Sequence, residues 1–348
     1  MSPILGMITF ALGGLAGAIF LLPARGVKGW AYESWWLVYV FVGHIVCPTL
    51  ICWITVPDFW GVISSTPGAV LGQCAFFGAL WGVGGLTWGL MVRYLGIGLG
   101  LAIGCGLCAA TGTLIPPVAQ GKAADLVKDA GAIVVLAGVI GSLVGIVFVG
   151  LAGKIKEDEL PEEAKKKAVA EFNFKKGMIV AVVSGVFSAC MNFGLQSGAV
   201  IEKAACAAAV NAGVVAEGET FPWQGMPVIM VVLWGGFAVS ALWCLQQNFK
   251  HRTFGDYARP AARNLALCAL IGVLWVMQFV CTKAGEPMMG DLKYISFAVM
   301  MASTIFFSTI VGVVTGEWKG TSVKTRACLA LGTIVLVASF TAISIGSK

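Results

Sequence analysis

The chain has 348 residues, of which 58% are hydrophobic and 11% charged, with a mean hydropathy of +0.90 and a net charge of +6. A soluble domain carries about 25% charged residues, so this composition excludes a protein bathed only in water and requires lipid as part of the solvent. The positive charge is accounted for by loops, as traced below, and calls for no nucleic acid.

A membrane-spanning helix needs roughly 20 predominantly apolar residues. Ten such stretches follow one another: Ile4–Leu22, Ser34–Val56, Gly68–Met91, Gly96–Pro116, Gly131–Ala152, Gly177–Ala199, Pro222–Leu245, Arg263–Cys281, Tyr294–Val314 and Arg326–Ile345. Backbone polar groups cannot stay unpaired in lipid, so each stretch is expected to be a helix, and none alternates as a membrane strand would. No basic segment precedes the first stretch, so it does not read as a cleaved leader. The 46 glycines suit close helix–helix approach in a membrane. The eleven cysteines lie mostly inside apolar stretches and read as small hydrophobes; Cys105 and Cys108 have no second pair or nearby histidine that would make them a metal site.

Ten spans place both termini on one side. Of the 23 basic residues, 17 fall on the opposite side, among them Arg25, Lys28, Arg93, the run from Lys154 to Lys176, Lys250, Arg252, Lys324 and Arg326. The basic side is expected to be cytoplasmic and the termini periplasmic.

The charged stretch Lys154–Lys176 divides the spans five and five. This gives a first repeat over residues 1–152, a cytoplasmic linker over 153–176 and a second repeat over 177–348. Ala79-Leu80-Trp81-Gly82-Val83 returns as Ala269-Leu270-Ile271-Gly272-Val273, and at the same offset Arg93 falls on Lys283 and Trp88 on Gln278. Tyr94 and Gly112 are spaced as Tyr294 and Gly312 are, and Gly14 and Ala18 can be laid on Gly185 and Ala189. An odd number of spans per copy inverts the second copy in the membrane. The expected fold is therefore all-α, with ten transmembrane helices in two inverted five-helix repeats. That symmetry serves alternating access around a site near the midplane.

Polar groups inside spans are expensive and therefore candidates for function. Asn192 and Gln196 share one face of the sixth span, Trp275 and Gln278 one face of the eighth, and Trp81 and Trp88 one face of the third. Amides offer donors and acceptors to sugar hydroxyls, and indole rings pack on the C–H face of a sugar. The plainer alternatives are interhelical hydrogen bonds for the amides and ordinary packing for the tryptophans. Glu33 opens the second span and is the first candidate for a group that loads and unloads a proton; a wet carboxylate at a helix N-terminus is its alternative. His44 reads as a packing residue, Arg93 and Lys283 as interfacial anchors, and Glu317 as a capping or pairing group in the last cytoplasmic loop. Glu286 and Asp291 sit in a periplasmic loop. No nucleophile with its base, no phosphate-binding loop and no metal cluster appears, and Gly96, Gly98 and Gly100 lack the preceding strand of a dinucleotide site. Neither a cofactor nor catalysis is expected.

Several segments carry a resemblance: Glu33-Ser34-Trp35-Trp36, Pro57-Asp58-Phe59-Trp60, Gly78-Ala79-Leu80-Trp81-Gly82-Val83-Gly84, Arg93-Tyr94-Leu95-Gly96, Glu171-Phe172-Asn173-Phe174-Lys175-Lys176-Gly177, Trp275-Val276-Met277-Gln278-Phe279, Tyr294-Ile295-Ser296 and Glu317-Trp318. Spread in order over nearly the whole chain, they make it resemble the L-rhamnose–proton symporter family, within the drug/metabolite transporter superfamily. The resemblance implies ten helices in two inverted repeats and uptake of L-rhamnose or a near relative driven by protons. Glu33, Trp81, Arg93, Trp275 and Gln278 match the family pattern. The chain departs from it at Gly85-Leu86-Thr87-Trp88, at Asn192 and Gln196, and at His44, where the pattern has a tryptophan; these departures bear on sugar preference rather than on fold. The expected partners are a small sugar, a proton and membrane lipid, and the carrier is expected to act as a monomer in a bacterial inner membrane. Transport of another solute by the same fold, or an embedded enzyme acting on lipid-linked sugars, are the competing readings.

Overall fold

The computed structural model describes residues 3–119, 121, 124, 127–161, 163, 169, 171–219, 221–258, 262–285, 288–289 and 296–346. Glu286 and Asp291 lie outside the described residues. The regular structure that is described is helical throughout. The helices are α1 (Pro3–Ile19), α2 (Tyr32–Val40), α3 (Cys47–Thr55), α4 (Phe59–Ser65), α5 (Gly68–Leu95), α6 (Ile97–Ala119), α7 (Ala130–Glu159), α8 (Phe174–Ser188), α9 (Cys190–Ser197), α10 (Ala199–Asn211), α11 (Met226–His251), α12 (Ala262–Gly285), α13 (Ser296–Val314) and α14 (Val323–Gly346). A π-helical turn, Phe41–Val46, joins α2 to α3.

Among the described residues, nine helical stretches are long and apolar enough to cross a membrane, and they coincide with nine of the ten expected spans. Within the remaining expected span, Tyr294–Val314, the apolar stretch Val299–Val314 is helical but shorter than a full crossing. Large apolar side chains stand exposed on these helices, Leu242 at 70% and Val314 at 79%, which is tolerable only against lipid. The protein is a multi-pass membrane protein.

Helix boundaries follow local chemistry. Asp129 and Asn173 accept hydrogen bonds from the Ala132 and Lys176 amides at the starts of α7 and α8, and Ser322 does the same for Thr325 at the start of α14. Helix α7 runs seven residues past Ala152 before it ends, with Lys154 held by Glu157 and Asp158 on the same helix. Between α5 and α6 there is only Gly96, with φ +89°, a left-handed conformation that favours glycine.

By mutual contact the chain forms two compact units. The first comprises Met1–Ala18, Gly84–Ala189 and Met288–Lys348; the second comprises Ile19–Val83 and Cys190–Pro287. In the first unit α7 and α14 share the most extensive interface. Gly138 meets Ser339 and Ile343, Gly145 meets Leu336, and Gly332 meets Val149. As one residue number rises the other falls, so the two helices run antiparallel with glycines along the seam. Gly14 of α1 lies against Met300 and Ser303 of α13, and Gly185 of α8 against Leu107 of α6.

At the N-terminus of α6, still in the first unit, the fully buried Glu317 accepts hydrogen bonds from the amides of Ile97 (2.9 Å) and Gly98 (3.0 Å). This is the favourable end of the helix dipole for a carboxylate. A Cβ on Gly96 would stand 2.7 Å from Glu317 Oε2, so the turn needs glycine for space as well as for φ. Beside it the fully buried Lys156 places its ammonium 5.0 Å from the ring centre of Phe172 and 4.8 Å from that of Trp318. Arg93 pairs with Glu171 at the surface of the same unit.

In the second unit, two pairs of helices cross at glycines. Gly43 in the π turn meets Gly272 of α12, and Gly78 and Gly82 of α5 meet Val232 and Gly236 of α11.

Candidate functional site

The site grows from one helix of the second unit, α2 with its π turn and α3. A π turn inserts an extra residue into the helix and rotates the following face; such turns concentrate at functional sites. This one contains Gly43 and His44. Because a Cβ on Gly43 would lie only 3.2 Å from the Gly272 Cα, the absence of side chains here is what lets α12 approach. Trp275, one turn beyond Gly272, then reaches His44.

The result is a closed triangle of rings. His44 lies 4.7 Å from Trp275 and 5.3 Å from Trp81, and the two indoles are 5.7 Å apart. Trp81 is delivered by α5, where its ring packs on Gly236 of α11. Tyr39 closes one side at 6.0 Å from His44, and Phe279 lies edge-on to Trp275. His44 is 3% exposed, and neither ring nitrogen has a hydrogen-bond partner among the described residues.

The other expected sugar contacts are placed less centrally. Gln278 is half-buried and donates through Nε2 to the Trp275 carbonyl at 2.9 Å, so part of its amide is turned back on its own helix. On α9, Asn192 is half-buried and Gln196 exposed. Trp88 belongs to the first unit, where its ring edge reaches Gly104 of α6. Thus Trp81 and Trp275 are brought together around His44, while Gln278 follows Trp275 on α12.

At the start of α2 lies a second polar cluster. Glu33 is 6% exposed and its Oε1 takes two partners, His251 Nδ1 at 3.0 Å and the Thr253 hydroxyl at 3.1 Å. Next to it Ser34 donates its hydroxyl to Asp256 Oδ2 (2.8 Å) or Asn248 Oδ1 (3.1 Å), and Asp256 also accepts from the Ala31 amide at 2.8 Å. The Tyr257 hydroxyl donates to the Ser34 carbonyl at 3.3 Å. Polar groups from the last turn of α11 and the loop that follows it therefore pin the beginning of α2. The His251 side chain is half exposed whereas that of Glu33 is 8% exposed, so the imidazole stands between the carboxylate and the outside of the unit. Glu33 and His44 are eleven residues apart on one helix, roughly 16 Å at 1.5 Å per residue. Between them the rings of Trp36 and Tyr39 pack at 5.0 Å.

Two residues here escaped the sequence reading. For His251 the available signal is a histidine at the end of a span on the basic side, with one carboxylate opening another span. His44 read as packing, although an imidazole in the middle of an apolar span is itself unusual. Among the described residues no three metal-ligating side chains cluster.

The family model for the L-rhamnose-proton symport protein matches residues 1–348. The chain is 33% identical over 350 residues to an L-rhamnose-proton symporter of Pectobacterium carotovorum subsp. carotovorum (strain PC1), covering 99% of this chain and 98% of that protein. It is 30% identical over 349 residues, with the same coverages, to a protein of that name from Yersinia pestis bv. Antiqua (strain Antiqua), and 31% identical to one from Yersinia pseudotuberculosis serotype O:3 (strain YPIII). No solved structure matches the chain. A multi-pass helical protein matched from end to end in this way belongs to the L-rhamnose-proton symport protein family, a family of transporters rather than of enzymes.

Proposed function

We propose that this chain takes up L-rhamnose together with protons by alternating access. The observation that carries this is the match over the full length to proteins of that name. The residues fit the task. Indole rings at Trp81 and Trp275 suit the C–H face and methyl group of a 6-deoxy sugar, with Gln278, Asn192, Gln196 and Trp88 as further contacts as access alternates. Glu33 is the proton site, and His251 is the group through which it exchanges with water. Its carboxylate, tied to His251 and Thr253 when ionised, loses its acceptor character at one oxygen when protonated, which changes how α2 is held. Coupling then requires that proton and sugar each favour one state of the α2–α3 helix, on which both sites lie.

The architecture we infer is ten transmembrane helices in two inverted five-helix repeats, residues 1–152 and 177–348 about a cytoplasmic linker, as in the drug/metabolite transporter superfamily. The contacts within each unit support it. Exchanging each span for the one five places along turns the Gly14–Ser303 contact of spans one and nine into the Gly185–Leu107 contact of spans six and four. The same exchange turns the Gly43–Gly272 crossing of spans two and eight into the Gly236–Gly82 crossing of spans seven and three. The antiparallel α7–α14 pair, spans five and ten, maps onto itself. The tenth crossing is the helix that includes Val299–Val314, both termini face the periplasm, and the carrier works as a monomer in the inner membrane, with lipid and no nucleic acid around it.

The test is uptake by the purified protein in liposomes. With the interior alkaline, labelled L-rhamnose accumulates above its external concentration, and adding the sugar without a gradient alkalinises the medium. Uptake that stops at equilibrium under a maintained gradient, or that proceeds without proton movement, would remove the proposal.

A further inference from the structure

His44 is the one group in the triangle of rings whose chemistry is left over. Trp81 and Trp275 are there for their faces, and a phenylalanine or a third indole at position 44 would complete such a cluster without polar cost. An imidazole instead brings two ring nitrogens that need partners, and at 3% exposure neither has one among the described residues. Burying such groups unpaired is unfavourable, so a state of the carrier in which they are paired would recover what the closed triangle loses. The surroundings fit that purpose. The π turn aims the ring at the two indoles, and the Gly43–Gly272 contact sets the distance. Neutral imidazole offers one donor and one acceptor, matching hydroxyls that both donate and accept.

We propose that His44 is a sugar-recognition residue, hydrogen-bonding a ring hydroxyl of the substrate while Trp81 and Trp275 cover its apolar face. The inference rests on the sugar-transport reading above and adds the group that selects among sugars by hydroxyl rather than by shape. Closed on itself, the triangle satisfies its apolar surface; opened by substrate, it satisfies the imidazole as well. The same residue makes the carrier sensitive to which hydroxyl is present, because losing that hydroxyl leaves a buried nitrogen unpaired again.

The experiment uses the full-length purified carrier and L-rhamnose, with binding followed by calorimetry. H44F keeps a flat ring and removes both nitrogens. Its Kd is expected to rise about tenfold or more, while its unfolding temperature without sugar stays the same or increases. Across L-rhamnose analogues each lacking one hydroxyl, wild type should lose affinity sharply for one of them, and H44F should not distinguish that analogue from the parent sugar. A Kd for H44F within twofold of wild type overturns the assignment. A second measurement does not depend on the variant folding. The chain has two histidines, so ring 15N spectra of histidine-labelled wild type report on both, and H251Q assigns them. Saturating L-rhamnose should shift the His44 signals; unchanged signals overturn the proposal whatever H44F does. A wild type that binds no L-rhamnose would instead sink the substrate reading of the preceding section, and the role of His44 with it.

Discussion

Glu317, in the turn before α14, and His44, in the π turn between α2 and α3, are both buried polar groups, yet their surroundings are opposite. In the first unit the carboxylate of Glu317 is met by two backbone amides at the start of α6, and Lys156 nearby is flanked by the faces of Phe172 and Trp318. In the second unit His44 is flanked by the rings of Trp81, Trp275 and Tyr39, with no partner for either nitrogen among the described residues. Both arrangements are expensive to bury. Only the first returns the expense within a single conformation, which is what a fixed part of a carrier needs. The difference separates polar residues that hold the fold from polar residues that wait for something to bind, and burial alone would not have separated them.

The largest effect should come from removing the satisfied group. E317A leaves the Ile97 and Gly98 amides without their acceptor and Lys156 without the nearby charge. Breaking a buried charged partnership costs about 3–5 kcal/mol, so the purified variant should unfold at clearly lower temperature or lower denaturant. Sugar affinity of the fraction that remains folded should be unchanged. An E317A protein as stable as wild type would show that the α6 cap is not a support and would blur the contrast with His44.

E33Q is next, and its effect is on coupling rather than stability. Glutamine keeps the shape and one acceptor oxygen for Thr253 but cannot exchange a proton. Gradient-driven accumulation should disappear while exchange of labelled for unlabelled sugar across the membrane persists. H251Q should slow accumulation without abolishing it, since the imidazole lies outside the carboxylate rather than replacing it. Undiminished uphill uptake by E33Q would remove the proton role from Glu33.

How far these groups could be read in the sequence depended on whether their partners were close in the chain. The spans were legible because lipid leaves the backbone no alternative to helix, and nine reappear as full-length apolar helices among the described residues. The third and fourth spans are joined by a short stretch in the sequence, which the structure reduces to one residue, Gly96. Glu317 was assigned to capping or pairing in its loop, and it caps, but on α6, a helix 220 residues earlier in the sequence. Contacts of that range leave no periodic trace. The same holds for Glu33 with His251, 218 residues apart, and for the meeting of His44, Trp81 and Trp275 from three helices. The π turn has no signature in the run Phe41–Val46 beyond Gly43, whose partner Gly272 is equally remote.

Gln278 sharpens the comparison from the side of the site. One N–H of its Nε2 already bonds the Trp275 carbonyl on its own helix, which leaves its other N–H and its oxygen for a ligand. Q278A should therefore weaken L-rhamnose binding by about 0.5–1.5 kcal/mol for each hydrogen bond lost, and a Kd equal to that of wild type would take it out of the sugar contacts.

The smallest effect should be that of K156M. Lys156 looks at first like His44, for its ammonium also has no hydrogen-bond partner among the described residues. What differs is that two aromatic faces stand within 5.0 Å of it, and such faces attract a desolvated cation as a hydrogen bond would. Methionine is nearly the same length, fills the same space and makes favourable sulfur–aromatic contacts. Replacing a buried charge by a well-packed apolar side chain is often neutral, and here Glu317 keeps both of its amide donors. Stability of K156M should thus lie within about 1 kcal/mol of wild type, with transport retained, as measured by thermal unfolding and liposome uptake. If K156M were instead as damaging as E317A, the two charges would form one unit, and the α6 cap would depend on the ammonium as much as on the helix dipole.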